Sequence, residues 1–458
     1  MSRPNILLLY TDQQRGDALG TVNDDVLTPH MDALARRGTH FTNHFVQNPL
    51  CMPSRVSMLS GRLPSSLGIT SMGVPVPEDL PTLPVLLGRA GYTTANLGKL
   101  HFLPHANRDH RLPHPTYGFD RIEISDEPGV YDDAYLAWVH RQDPNAVDAV
   151  RCPLPPARAV WERLMGGDAE AVERADYAAL DPLPAPAELS HSAFVAQRTI
   201  EFLAERSSAD PFFCIAGFYN PHPPLRAPQR FLDLYDPDGL HVPDDPIADD
   251  HDDPFYHSAH RRLVTHGYYA LVSEVDHHIG RILAELDRLG LTDDTIVVLT
   301  SDHGEWLGQG GRYGKGFPGD DLVTRVPLVI AGPGVRSSVV DEVIEAVDLA
   351  PTLLELAEVQ PPPFLQGCSR SPELSGAPGD PTGVAVTEGA GWKSLRSAHH
   401  RYRIDGDGES LHRVRPVGAT GTDREACVDD PALLAEHRAL LLDHLLRAER
   451  PLQPTFPY

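Results

Sequence analysis

The sequence has few cysteines, fewer basic than acidic residues, and no long apolar run. Its five cysteines are odd in number and lie far apart, so a disulfide framework is not expected. No stretch is long enough to span a membrane, and the apolar run that begins at Asn5 is too short for the apolar region of a signal peptide. These absences predict a cytoplasmic protein without a membrane partner.

Basic residues are far outnumbered by acidic ones. The chain carries 39 Lys and Arg against 64 Asp and Glu, for a formal net charge of −25. Such a charge argues against nucleic acid or an anionic membrane surface as the general partner. An anionic substrate would therefore have to be held by a local cluster of cationic side chains.

Apolar segments alternate with amphipathic ones along most of the 458 residues, which indicates an α/β protein. Continuous apolar runs favour strands that are buried on both faces, as in a sheet covered by helices. The predicted strands are 5–10, 92–97, 211–218, 295–300 and 324–330. The predicted helices are 29–37, 83–90, 190–205, 263–289 and 348–358.

Changes in composition divide the chain into a large and a small domain. We expect a catalytic domain over 1–358 that contains a proline-rich insertion at about 104–190. A linker over 359–381 is rich in Pro, Ser and Gly, and a small α+β domain follows over 382–458. Further predicted elements are a helix near 157–165, strands at 383–388 and 392–405, and a helix at 431–447.

Carboxylates follow two of the predicted buried strands. Asp12 follows the carboxyl end of the predicted strand 5–10, and Asp302 with His303 follows the strand 295–300. A parallel sheet would bring these two loops together, and the donors suit a divalent cation such as Ca²⁺, Mg²⁺ or Mn²⁺. Taken alone, Asp12 would equally suit a helix N-cap or a loop.

A potential nucleophile stands at the start of a predicted helix, within the segment Cys51-Met52-Pro53-Ser54-Arg55. Pro53 suits the first helical turn, and Arg55 lies about one turn from Cys51. Cys51 would then lie at a helix N-terminus, where backbone N–H groups and the helix dipole favour an anion.

Four further cationic candidates come from separate segments. Lys99 and His101 follow a strand and stand two residues apart, so an extended backbone would direct both side chains the same way. His222 is fixed between prolines, and Lys315 lies in the glycine-rich segment 308–319. Each alone is also typical of a solvated lysine, a loop histidine or a structural turn.

In their order along the chain, these motifs resemble those of the sulfatase family. They are Thr-Asp-Gln ending at residue 13, Cys-x-Pro-Ser-Arg at 51–55, Gly-Lys-x-His at 98–101, Asn-Pro-His-x-Pro at 220–224, Ser-Asp-His-Gly at 301–304, and Lys315. The resemblance covers residues 4 to 350 and implies an alkaline-phosphatase-like α/β sandwich, a large mixed sheet between helices, with a small C-terminal α+β domain. It also implies hydrolysis of small-molecule sulfate esters.

The resemblance further implies that a maturation enzyme oxidises Cys51 to formylglycine and that one divalent metal is bound, preferably Ca²⁺, with Mn²⁺ or Mg²⁺ as alternatives. The implied metal ligands are Asp12, Cys51, Asp302 and His303. The implied catalytic residues are Cys51, Arg55, Lys99, His101, His222 and Lys315. The implied substrate-binding residues are Gln13, Lys99, His222 and Lys315.

Two positions depart from the commonest family pattern. Gln13 stands where many sulfatases have a second Asp, and His303 stands where they have Asn. Both variants occur in choline-sulfatase-like members and in related phosphonate monoester hydrolases, so a phosphonate monoester or phosphodiester hydrolase is the second hypothesis. A non-catalytic anion-binding or metal-storing protein with an unmodified Cys51 is a third. A phosphomutase-like or two-metal phosphatase is disfavoured by the single metal cluster, and a homo-oligomer is left open.

Overall fold

The computed structural model describes residues 3–104, 113–152, 176–177, 180–206, 210–379, 383–414, 426–450 and 452. Most of the insertion predicted at 104–190, including the helix near 157–165, lies outside the described residues. The α-helices of the described residues are Pro29–Arg37, Cys51–Ser60, Pro64–Leu67, Leu83–Arg89, Ala134–Gln142, Val147–Val150, His191–Ala204, Gln229–Leu232, Pro246–Asp249, Ser258–Arg288, Asp321–Thr324, Leu349–Leu356, Ser371–Leu374 and Pro431–Arg447.

The larger of two sheets has eight strands in the order β4-β3-β5-β1-β6-β7-β2-β8. Neighbouring strands run parallel except at β7, which is antiparallel to β6 and β2. The strands are β1 Asn5–Asp12, β2 Thr39–Phe45, β3 Thr93–Gly98, β4 Arg121–Ile124, β5 Phe212–Pro221, β6 Thr295–Ser301, β7 Leu328–Ala331 and β8 Ser338–Glu345.

Helices cover both faces of this sheet, as the continuous apolar strands predicted. Along β1, Ile6 and Leu8 face a cluster that includes the helices Cys51–Ser60 and Leu349–Leu356. Leu7 and Leu9 face the opposite cluster, which includes the helices His191–Ala204 and Ser258–Arg288. Strand β1 is therefore central in the sheet and buried on both sides.

The smaller sheet has five strands in the order β13-β12-β11-β10-β9. They are β9 Ala385–Gly389, β10 Trp392–Arg396, β11 His400–Asp405, β12 Gly408–Arg413 and β13 Ala426–Cys427. The large mixed sheet between helices and the separate small sheet confirm the predicted fold class. The domain boundaries at 358 and 382 stay a prediction.

Several element predictions need correction. The strand predicted over 324–330 is shorter, because Asp321–Thr324 forms a helical turn and β7 begins only at Leu328. The strand predicted over 392–405 is the antiparallel pair β10 and β11. The long helix begins at Ser258 rather than at residue 263. Among the described residues, no helix has both the length and the apolar character required to cross a bilayer.

Candidate active site

Two carboxylates meet at the carboxyl ends of adjacent parallel strands. Asp12 is the last residue of β1, and Asp302 directly follows β6. The register pairs Thr11 with Ser301, so the loops that follow start side by side. The backbone N–H of Gln13 donates to Asp302 Oδ1 at 3.1 Å, which links the two loops directly. The predicted convergence of these strand ends is present.

Cys51 lies beside both carboxylates, at the first residue of the helix Cys51–Ser60. Its Sγ is 3.2 Å from His303 Nε2, 3.9 Å from Asp12 Oδ1 and 2.6 Å from Lys315 Nζ. Burial, with Asp12 nearby, raises the pKa of Cys51 to about 12. The thiol is therefore protonated at neutral pH and is a weak nucleophile in this form.

Four buried side chains could hold one metal ion. One donor atom from each of Asp12, Cys51, Asp302 and His303 lies within 4.8 Å of the others. His303 Nδ1 is 2.9 Å from the carbonyl oxygen of Gly304, which can only accept, so Nδ1 carries the proton. The lone pair of Nε2 then faces Asp12 Oδ1 and Asp302 Oδ1, each at 3.6 Å. This donor set fits a divalent cation.

Cationic side chains bind the outer oxygens of the same carboxylates. Arg55 Nε lies 2.6 Å from Asp302 Oδ2, and its NH2 lies 3.3 Å from Asp12 Oδ2. Lys99 Nζ lies 2.8 Å from Asp12 Oδ2. The Arg55 guanidinium also stacks on the Tyr10 ring, and the Lys99 ammonium lies over the Tyr219 ring. The inner carboxylate oxygens are thereby turned toward Cys51 and His303.

The two carboxyl groups differ in their pKa. Burial raises the pKa of Asp302 to about 6, although Arg55 opposes the shift. Burial alone would also raise the pKa of Asp12, but Lys99, His222 and Lys315 hold it well below its usual value. Burial and Lys315 hold the pKa of His303 well below the ordinary value, which keeps the ring neutral and able to bind a metal.

His222 and His101 occupy turns near this cluster. His222 Nδ1 is 2.7 Å from the Pro223 carbonyl oxygen, and its ring lies 4.7 Å from that of Tyr219. His101 has a φ of 58°, so the extended arrangement considered for Lys99 and His101 is wrong. The backbone N–H of His101 donates to Asp126 Oδ1 at 2.8 Å, which fixes the turn. The part that His101 plays in a reaction stays a prediction.

Similarity to known proteins extends over most of the chain. A family model described as Sulfatase matches residues 4–359. The chain belongs to the sulfatase family. At the level of the family it is a sulfuric ester hydrolase.

Relatives of this sulfatase include an arylsulfatase from Clostridium perfringens, 29% identical over 400 residues, which cover 80% of this chain and 77% of the relative. A choline-sulfatase from Rhizobium meliloti is 29% identical over 406 residues, covering 82% and 72% of the two chains. The crystal structure of a phosphonate monoester hydrolase from Agrobacterium radiobacter has a TM-score of 0.78 at 23% identity, covering 97% and 96% of the chains. That last likeness shows the fold.

The sequence patterns left three contributors to this sulfatase site unrecognised. Tyr219 supports both Lys99 and His222, although it stands directly before the Asn-Pro-His motif. Tyr177 and Glu305 bind the side chain of Gln13. Glu305 follows Ser-Asp-His-Gly immediately, which is the signal that could have identified it. Tyr177 falls in the insertion, where the sequence carries no comparable motif.

Proposed function

We propose that this chain hydrolyses a small-molecule sulfate monoester, using formylglycine formed from Cys51 and one divalent metal ion. The observation that carries the proposal is the position of Cys51 Sγ, 3.2 Å from His303 Nε2 and 2.6 Å from Lys315 Nζ. The side chain at position 51 thus lies between the candidate metal ligands and a cation that could bind the transferring group.

The metal would be held by Asp12, Asp302, His303 and the side chain at position 51. The family resemblance implies Ca²⁺, with Mn²⁺ and Mg²⁺ as alternatives, since carboxylate ligands suit all three ions. A cation bound there would supply positive charge to the anionic transferring group and lower the pKa of a hydroxyl on residue 51. Arg55 and Lys99 bind the outer carboxylate oxygens and so orient the inner ones.

Formylglycine answers a difficulty that the thiol presents. A sulfated thiolate could be released only by attack of outside water, and the raised pKa of Cys51 makes the thiol itself a weak nucleophile. The hydrate of the aldehyde would supply two hydroxyls on one carbon, one for attack on sulfur and one whose deprotonation expels sulfate. An enzyme that generates formylglycine is the maturation partner this requires.

Cationic side chains would bind the transferring group and move protons. Lys315 and His222 lie near the pair formed by Asp12 and Cys51, so they are placed to bind the oxygens of the group, and one of them would protonate the leaving alcohol. Although burial opposes it, Asp12 raises the pKa of Lys99, which stays charged. We assign proton removal from residue 51 to His101.

Hydrolysis of a phosphonate monoester or a phosphodiester at the same site is the second candidate. Gln13 and His303 are the basis of this candidate, because both variants occur in phosphonate monoester hydrolases as well as in choline-sulfatase-like members of the family. A sulfate monoester and a phosphate diester both carry one negative charge, so the number of cationic side chains does not separate them. Rates with paired aryl sulfate and aryl phosphonate esters do.

The test is a substrate panel on matured protein, with Cys51→Ala as the blank. We expect turnover of the sulfate ester by the matured protein and none by the variant. Chelation of the metal should abolish turnover, and added Ca²⁺ or Mn²⁺ should restore it. Faster turnover of the phosphonate would establish the second candidate instead. Equal rates for the matured protein and for Cys51→Ala would contradict both.

A further inference from the structure

Glu305 is a buried carboxylate that accepts four hydrogen bonds from different parts of the chain. It follows the end of β6 by four residues and is 1% exposed. Oε1 accepts from the backbone N–H of Leu307 at 3.0 Å and of Gly314 at 2.6 Å. Oε2 accepts from the Tyr177 hydroxyl at 2.7 Å and from Gln13 Nε2. These contacts offset the cost of burying the carboxylate.

One pair of contacts fixes the loop that carries Lys315. Gly314 donates its N–H to Glu305, and its carbonyl oxygen accepts from the N–H of Trp306 at 3.0 Å. Lys315 is the next residue, and its Nζ lies 2.6 Å from Cys51 Sγ and 3.2 Å from His303 Nε2. The backbone before Lys315 is therefore tied on both sides to the segment that follows β6.

The other oxygen of Glu305 fixes a residue beside the metal cluster. Gln13 follows Asp12 directly and has a φ of 68°. A residue other than glycine adopts this left-handed conformation when the surrounding contacts stabilise it. Its amide nitrogen donates to Glu305 and, at 3.1 Å, to the Tyr177 hydroxyl. Glu305 thus determines where Gln13 points.

We propose that Glu305 is a positioning residue that holds Lys315 and Gln13 against the transferring group. Glu305 contacts the side chain of Gln13 directly and Lys315 indirectly, through the backbone N–H of Gly314. The proposal rests on the proposed function, because it assigns to Lys315 and Gln13 contacts with the ester. Displacing a catalytic group by about 1 Å costs on the order of 100-fold in rate, so the loss of this support should be visible in kcat.

The first test compares Glu305→Gln and Glu305→Ala with the parent protein. An amide keeps the volume but replaces one acceptor oxygen by a donor, so two of the four donors lose their acceptor. We expect kcat to fall about 30-fold for Glu305→Gln and about 300-fold for Glu305→Ala, with KM changed less than about threefold. A rise in KM with an unchanged kcat would overturn the proposal.

The matched control is Asp276→Asn. Asp276 is also buried and accepts from the backbone N–H groups of His30 and Met31 at 3.0 and 2.7 Å. It lies on the helix Ser258–Arg288, which covers the face of the sheet opposite to the helix that begins at Cys51. This variant should lower the melting temperature while kcat per folded molecule stays within about twofold of the parent. If Asp276→Asn lowers kcat as much as Glu305→Gln does, the effect is one of general stability and the proposal fails.

A double-variant cycle asks whether Glu305 acts through Lys315. In the Lys315→Ala background, Glu305→Gln should lower kcat by clearly less than about 30-fold, because one of the two groups that Glu305 positions is gone and only the loss of Gln13 support remains. The same 30-fold loss in both backgrounds would show independent action and overturn the proposal.

Amide hydrogen exchange supplies a readout that does not depend on turnover. In Glu305→Ala, the peptide 308–316 should exchange at least about tenfold faster than in the parent, while the helix Ser258–Arg288 keeps its rate. An unchanged rate for 308–316 overturns the positioning role whatever the substrate. A parent protein that turns over neither ester refutes the proposed function instead, and the exchange result still decides on Glu305.

Discussion

At the scale of single residues, the site depends on charges that are buried and mutually compensated. Arg55 has no exposed surface and pairs with both Asp302 and Asp12, which have none either. Removing one member of such a set leaves the others buried without a partner, which costs far more than losing an exposed ion pair. The arrangement therefore couples stability of the fold to the integrity of the site.

Arg55→Met tests this coupling. We expect the free energy of unfolding to fall by about 3–5 kcal/mol, because the buried Asp302 loses its strongest cationic neighbour and Asp12 loses one of several. Chemical denaturation of the metal-free protein measures it. Arg288→Met is the control, since Arg288 is exposed and its ion-pair partner among the described residues is Glu285 of the same helix, and its unfolding curve should match that of the parent. A parent-like curve for Arg55→Met would contradict the prediction.

At the scale of elements, the small sheet is tied to the segment that follows Lys315. Asp321 begins the helical turn Asp321–Thr324 and binds Arg396 of β10 and Arg401 of β11. Phe317 meets the ring of Trp392 at 5.6 Å, also on β10. The small sheet thereby packs against the chain that bears a proposed catalytic residue.

Asp321→Asn should weaken this contact in a pH-dependent way. Burial alone would raise the pKa of Asp321, but Arg396, Arg401 and Arg325 hold it well below its usual value. The stability it supplies is therefore present above the ordinary aspartate pKa of about 3.9 and is lost as pH falls further. We expect the variant to lose roughly 2 kcal/mol at pH 7 and the difference from the parent to shrink below about pH 4.

Melting temperatures of both proteins between pH 7 and pH 3 check this prediction. A constant difference across the range would contradict it.

Which elements could be predicted follows from their burial. Strand β1 is apolar on both faces, and β6 likewise, so their type and first residues were clear from sequence, although β1 extends two residues and β6 one residue beyond the predicted ends. Strand β8 lies at the sheet edge and is exposed mainly in its first half, and β2 carries polar residues such as His40 and Asn43, so neither segment is a continuous apolar run or a regular alternation. Pairing with distant strands stabilises them, which a local pattern does not reveal.

At the scale of the whole molecule, the convergence of the site was predictable, whereas its internal contacts were not. Parallel strands end on one edge of the sheet, which favours a meeting of Asp12 and Asp302, and the adjacency of β1 and β6 brings the two residues together. Nothing in the spacing shows that Arg55 takes the outer carboxylate oxygens, or that Glu305 joins Gln13 to the loop of Lys315. Those contacts depend on side-chain directions set by the tertiary fold.

The molecule as a whole carries a net charge of −25, whereas the candidate active site contains a small group of cationic side chains. An anionic ester is repelled at long range, and salt screens this repulsion over about 10 Å at 0.1 M. Raising NaCl from about 10 to 150 mM should therefore increase kcat/KM about two- to threefold for an anionic ester. A steady fall in kcat/KM over that range would show that attraction dominates.

The most direct measurement relates turnover to the state of residue 51. Preparations that differ in the fraction of Cys51 converted to formylglycine, determined by mass spectrometry of the peptide that contains 51–55, are assayed with the same aryl sulfate and metal. The proposed chemistry predicts that kcat per total protein is proportional to that fraction and vanishes with it. Turnover that stays constant as the converted fraction approaches zero would contradict it.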